Sequence, residues 1–183
     1  PATGAGILYT PDGALRDPAK TVGFFEAVLR FVDAVTASPL ATRIDEEILF
    51  NAYGIRVLDG LTAEELAILG DPDAAAGVLY DDAGQLRDPG ATVAFFEKVL
   101  RFRDAIKGLP DAEQVDEMLY AVHRIRVLDG LSEEDLERLG ILLFPETMDG
   151  DPIPFDPANP RDFDKFVRNL EGKWEVIDEL KRN

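Results

Sequence analysis

The chain has no cysteine, and only one histidine and one tryptophan in 183 residues. Without cysteine there is no disulfide, no thiolate nucleophile and no thiolate metal site. A single histidine, His123, does not build a metal centre alone, and neither HExxH nor Glu-x-x-His occurs. No cofactor is therefore expected. Basic residues are also few: 19 Lys and Arg against 36 Asp and Glu leave a formal charge of −17. Binding to phosphate backbones needs clustered Lys and Arg, so nucleic acid is not an expected partner. Anionic membrane surfaces are disfavoured for the same reason. No apolar run approaches the ~18 residues of a membrane span. The start, PATGAGILYT, has neither the basic region nor the long apolar core of a signal peptide. Phosphate loop, dinucleotide fingerprint and nucleophile elbow are all missing. These absences point to a soluble, cytoplasmic protein without catalytic equipment.

What the chain does have is a stretch that occurs twice, from Gly6 to Gly70 and from Gly77 to Gly140. LRDPAKTVGFFEAVLRF begins at 15 and LRDPGATVAFFEKVLRF at 86, an offset of 71 positions. IRVLDGLTAEEL begins at 55 and IRVLDGLSEEDL at 125, an offset of 70, so one residue was gained or lost between the blocks, near Gly54. Such self-similarity marks a duplicated supersecondary unit. The chain is 46% hydrophobic, enough for a real core, but one unit alone is near the lower size limit for stability. The two are expected to share a core or a large interface.

Each copy opens with a short apolar segment, a turn and another short segment. Copy one has Ile7–Tyr9, Thr10-Pro11-Asp12-Gly13 and Ala14–Arg16; copy two has Asp81-Asp82-Ala83-Gly84 as its turn. Proline presets φ and glycine accepts positive φ, so both are read as small β-hairpins. Asp17-Pro18 and Asp88-Pro89 then start a helix, with aspartate as N-cap and proline at the first helical position. It is expected to end near Ala37 and Lys107. In copy one its apolar residues, from Val22 to Val35, cover about half the circumference at ~100° per residue. That is more than a surface helix needs, so this helix should touch two neighbours. Arg103 stands where copy one has Val32, so one flank is wet or faces a different neighbour in copy two.

A second helix is expected over Thr42–Tyr53 and over Ala112–Ile125. Gly54 ends the first, and the second, lacking a glycine, can run on to about Leu128. Thr62 with Glu65, and Ser132 with Asp135, have capping-box spacing for a short third helix, which Gly70 and Gly140 close. Residues 145–160 hold five prolines and form a linker. Asn159-Pro160 then starts a last amphipathic helix to about 181, in which Phe163, Phe166, Val167, Leu170, Trp174, Ile177 and Leu180 recur at helical spacing.

Candidate chemistry is thin. Asp45-Glu46 and Asp116-Glu117 are carboxylate pairs that could divide acid and base roles. Their placement in the first turn of a helix gives them a structural reason to exist. Asp149, Asp151 and Asp156 suggest a calcium loop, but Ile153 and Pro154 break the template. His123 aligns with Ala52 and reads as an ordinary surface or half-buried histidine. Arg16 and Arg56 are expected to meet the Asp59 turn, and Arg87 and Arg126 the Asp129 turn, as ion pairs.

The sequence thus predicts a mainly α fold of two tandem repeats of about 70 residues. Each has a short β-hairpin and about three helices, and a C-terminal amphipathic helix follows. The divisions are 6–72, 77–142, a Pro/Asp-rich linker 143–159 and the tail 160–183. The leading function is a non-catalytic protein-binding, scaffold or accessory-subunit role, with another protein or a second copy as partner. The partner-binding candidates are Phe24, Phe95, Phe163, Phe166, Leu170 and Trp174. An acidic mimic of nucleic acid and a carboxylate-dependent hydrolase or lyase are the alternatives.

Overall fold

The computed structural model describes residues 9, 10, 12–71, 78–81, 83–143 and 155–182. The protein is mainly helical. Copy one supplies α1 (Pro18–Ala37), α2 (Ala41–Arg43), a π-helix π1 (Ile44–Tyr53) and α3 (Ala63–Gly70). Copy two supplies α4 (Pro89–Lys107), α5 (Ala112–His123) and α6 (Glu133–Leu143), and the tail is α7 (Pro160–Arg182). No helix among the described residues is long and apolar enough to cross a membrane.

The first helices start as their caps dictate. Asp17 Oδ1 accepts from Ala19 N–H at 2.9 Å, and the Asp88 carboxylate accepts from Gly90 and Ala91 N–H. The hairpins are a correction. Among the described residues no strand forms, and each expected hairpin is reduced to one antiparallel bridge, Tyr9↔Leu15 and Tyr80↔Leu86. The turns themselves close: Thr10 N–H donates to Ala14 O, and Asp81 N–H donates to Gln85 O, both at 2.8 Å. Arg16 Nε and Arg87 Nε donate to the carbonyls of Tyr9 and Tyr80. These arginines therefore hold their own turns and not the Asp59 and Asp129 turns. Ile7, Leu8, Pro11 and Asp82 lie outside the described residues.

The second helix shows where the extra residue of copy one goes. Asp45 and Gly54 are nine positions apart, whereas Asp116 and Arg124 are eight. Both end points keep their roles: Gly54 and Arg124 are left-handed C-caps, at φ 68° and 60°. The additional residue is spread through π1, because i→i+5 bonding widens each turn. It is thus absorbed along Ile44–Tyr53 and not in the loop. The expected extension of α5 to Leu128 does not occur, since Arg124 itself adopts the left-handed conformation that glycine supplies in copy one. His123, the residue before this cap, corresponds to Tyr53 and not to Ala52. Gly140 does not end α6, which continues to Leu143; its Cα lies beside Phe95, as Gly70 lies beside Phe24.

Asp45 stands in the first turn of π1, as expected, whereas Asp116 is the fifth residue of α5, past its first turn. Asp45 Oδ1 accepts from Val57 N–H at 2.6 Å and Leu58 N–H at 3.4 Å; Asp116 Oδ1 accepts from Val127 and Leu128 N–H at 2.8 and 3.4 Å. Glu65 takes the N–H groups of Arg56 and Thr62, and Asp135 those of Arg126 and Ser132. The IRVLDG loop of each copy is thereby stitched to the helices before and after it. Charge-assisted bonds to backbone N–H are the stronger kind. Asp116→Ala would strand the buried Val127 N–H, and should cost about 2 kcal/mol in urea denaturation.

The core is one continuous cluster through both copies and the tail, from Val28 and Phe31 to Phe163 and Leu170. Copy two sits on copy one chiefly through α4, which packs on α1 and π1. Arg103 is buried there at 8% exposure, and its Nη1 donates to Glu47 Oε2 at 2.9 Å. It faces a different neighbour, the second of the two readings for that flank. Arg43 binds the Asp104 carboxylate through both terminal nitrogens, at 2.7 and 2.8 Å, and Glu47 through Nε. Ser38 Oγ donates to Glu97 Oε1 at 2.6 Å. Of the linker, residues 144–154 lie outside the described residues, among them Asp149 and Asp151.

Candidate docking surface

The apolar half of the first helix has two faces. One is formed by Val28, Phe31 and Val35 in α1 and by Val99, Phe102 and Ile106 in α4, and it is buried in both copies. The other runs at i, i+3, i+7, i+10: Val22, Phe25, Leu29 and Val32 in α1, and Val93, Phe96, Leu100 and Arg103 in α4. Here the copies differ. Val93, Phe96 and Leu100 are buried at 6, 0 and 0% exposure, whereas Val22 and Leu29 stand at 55 and 63%. Phe25 and Val32 are half-buried. The α4 face lies on copy one, because the polar residues that bracket it bond there. Arg103 reaches Glu47, Asp104 reaches Arg43 and Glu97 reaches Ser38.

Among the described residues the matching α1 face makes no such bond, and of its four residues only Val32 packs against the core. Its bracketing residues Glu26 and Asp33 are exposed, and Glu26 is 3.8 Å from Arg30 one turn on. So α4 touches two neighbours, as its apolar girth requires, and α1 presents the same girth with one side open. This stripe was legible only in part. The helical wheel shows the half-circumference, but two copies with the same pattern cannot show which one is covered. The usable signal was Val32 against Arg103.

The six partner-binding candidates fall elsewhere. Phe24 and Phe95 are half-buried and pack on the core, beside Gly70 and Gly140 of their own copies. The tail candidates are used within the chain. Phe163 and Leu170 are buried, and Phe166 and Trp174 are half-buried against the core. The ring of Phe102 meets Phe155, Phe163 and Phe166 edge-on, with centroids 5.3–6.4 Å apart. The helix α7 lies along α5.

Electrostatics at the copy interface follow from these bonds. The Arg43 guanidinium holds the Glu47 and Asp104 carboxyls below their usual range and is itself pushed up by them. Arg126 sits over the Tyr120 ring at 4.5 Å and pairs with Asp116 and Glu117; Arg56 sits over Phe50 at 4.6 Å and lies near Glu46. These are the partners that the Asp59 and Asp129 turns were expected to provide. Among the described residues no group of three or more His, Asp and Glu could hold a metal ion.

His123 faces a recess between α5, α6 and α7, where Arg138, Phe166, Leu170 and Lys173 also line the wall. Burial, and then the Lys173 charge, push its imidazole below the usual 6.5. The fold therefore favours neutral His123, and the unfolded chain takes up the proton first as pH falls. Its contribution is complete above about pH 6.5 and is lost on acidification from there. The urea midpoint should drop between about pH 7 and pH 5.5 in the wild type, and less in His123→Gln.

Compared with known proteins, the chain matches no family model, no curated protein and no solved structure.

Proposed function

We propose that the chain is a non-catalytic protein-binding, scaffold or accessory unit that binds its partner through the outer face of α1. It is built as two tandem repeats of about 70 residues, each a turn-closed hairpin remnant and about three helices, stacked one on the other. The divisions are 6–72 and 77–142, with 143–159 as linker and 160–183 as a tail that closes the copy-two end. A cytoplasmic location belongs to the same proposal. The observation that carries it is the stripe Val22–Phe25–Leu29–Val32, open at Val22 and Leu29, whose counterpart in α4 is already a docking face. Burying an exposed valine and leucine is worth about 1.5–3 kcal/mol per side chain, which makes them natural anchors.

The carboxylate-hydrolase alternative loses support, since Asp45 and Asp116 are committed to backbone N–H groups. The mimic of nucleic acid would place carboxylates along one face, whereas these cap loops and pair with Arg43, Arg56, Arg103 and Arg126. The test is capture of a partner from native extract by the wild type and by Leu29→Glu, at ~50 and ~200 mM salt. Loss with Leu29→Glu and weak salt dependence support the reading. A partner held equally by both variants refutes it, and a thousandfold fall with salt promotes the mimic.

A further inference from the structure

The stripe on α1 is the second instance of a docking face, and the seat that receives the first instance is also present twice. In copy one that seat is the second helix with the end of the first: Ser38, Arg43 and Glu47 receive α4. In copy two the aligned positions are Leu109, Gln114 and Met118. We propose that the partner of the α1 face is a second copy of this chain, taken head to tail onto the copy-two seat, for which α7 is the intramolecular competitor. This rests on the reading of the α1 face as a docking surface.

The match is chemical as well as positional. Within the chain, the fourth stripe residue is Arg103 and the seat offers Glu47, so charge meets charge. Between chains, the fourth stripe residue is Val32, half-buried on its own core, and the aligned seat residue is Met118, which is 2% exposed in the free chain, so an apolar residue replaces each charged one. Val32 placed on a copy-one seat would instead leave Glu47 without the arginine. Asp33 stands where Asp104 meets Arg43, and Gln114 can donate its amide N–H to that carboxylate. Pairing α1 with α1 of a second copy is disfavoured by charge. It would bring Glu26 and Asp33 of both chains together.

The copy-two seat is not empty. The tail helix lies along α5, and Phe163 and Phe166 meet Phe102. Yet of its 23 residues only Phe163 and Leu170 are buried, and Val176 and Leu180 are exposed. The half-buried Phe166, Val167 and Trp174 add to this hold, and the tether raises the effective concentration of the helix at its seat. A second chain competes when the tail is weakened or the protein is concentrated. The contact is heterologous, so each added chain offers a fresh α1 stripe, and assembly runs on into rows or closes as a ring.

The test is sedimentation velocity of the full chain carrying Leu170→Ala, from about 1 to 100 μM. Trp174→Ala, which removes a half-buried contact only, repeats it if Leu170→Ala does not fold. The expected result is concentration-dependent growth beyond monomer that Leu29→Glu abolishes. Adding Gln114→Arg should tighten association about tenfold by restoring the two-pronged bond that Arg43 makes to Asp104, and Asp33→Asn should cancel that gain. Both positions are exposed in the free chain. Chains that stay monomeric in every background overturn the proposal, as does a Gln114→Arg effect indifferent to Asp33. If they stay monomeric while Leu29→Glu still loses a partner from extract, the α1 docking face stands and the second copy falls.

Discussion

Phe102→Ala is expected to cost about 3–5 kcal/mol in urea denaturation, with loss of the protected amides of α7 before those of α1. The ring is fully buried at 0% exposure, and three aromatic rings of the tail segment meet its edge. Its removal leaves a cavity and also takes away the surface on which Phe155, Phe163 and Phe166 converge. Phe31, the aligned residue, is equally buried, but it belongs to copy one, and these ring contacts to the tail are those of Phe102. Phe31→Ala should destabilise by a similar amount and leave tail protection in step with the rest. Equal loss of tail protection in the two variants would mean that α7 is not held through Phe102.

Glu47→Met is expected to cost about 3 kcal/mol, because it removes the carboxylate from a buried guanidinium. Arg103 is 8% exposed, and its Nε already has no hydrogen-bond partner among the described residues. Arg43 keeps its two bonds to Asp104, so the loss falls on Arg103. Adding Arg103→Val should return the stability to the wild-type level or above. A well-packed apolar pair commonly replaces a buried ion pair without loss. The double change places at the copy interface the residues that stand at the aligned positions, Met118 and Val32. A double-mutant cycle by denaturation measures it. Additive losses would show that the two residues do not act as a pair.

The starts of helices were legible because their chemistry is local. Asp17-Pro18 and Asp88-Pro89 carry both the cap and the first helical residue, and Thr62 with Glu65 carries both halves of its box. The ends were less legible. Gly54 announces a left-handed cap, but Arg124 adopts the same conformation with nothing in its side chain to announce it. The π-helix was not legible at all. A one-residue surplus can be absorbed in a loop or along a helix, and the apolar pattern of Ile44, Ile48 and Leu49 suits either. Of the hairpins, the closed turn and one bridge in each copy stand among the described residues, because turn chemistry fixes the turn and not the length of pairing beyond it. Asp45 and Asp116 stand out in the sequence as members of two carboxylate pairs, but what they hold does not. Their partners, the N–H groups of Val57 and Val127, lie eleven or twelve positions away, beyond local rules. The docking stripe was half legible: the girth of apolar residues is in the sequence, but its exposure depends on which copy has a neighbour.

The central claim is that α1 carries an unoccupied copy of the face that α4 uses to bind copy one. The most direct test compares the unfolding free energies of Leu29→Ala and Leu100→Ala in urea, at a concentration where the chain is monomeric. The two leucines hold aligned positions, at 63% and 0% exposure. The account predicts about 2–5 kcal/mol lost for Leu100→Ala, and within about 0.5 kcal/mol of no change for Leu29→Ala. Equal losses at the two positions would contradict it, because Leu29 would then be covered within its own chain and α1 would have no open face to offer.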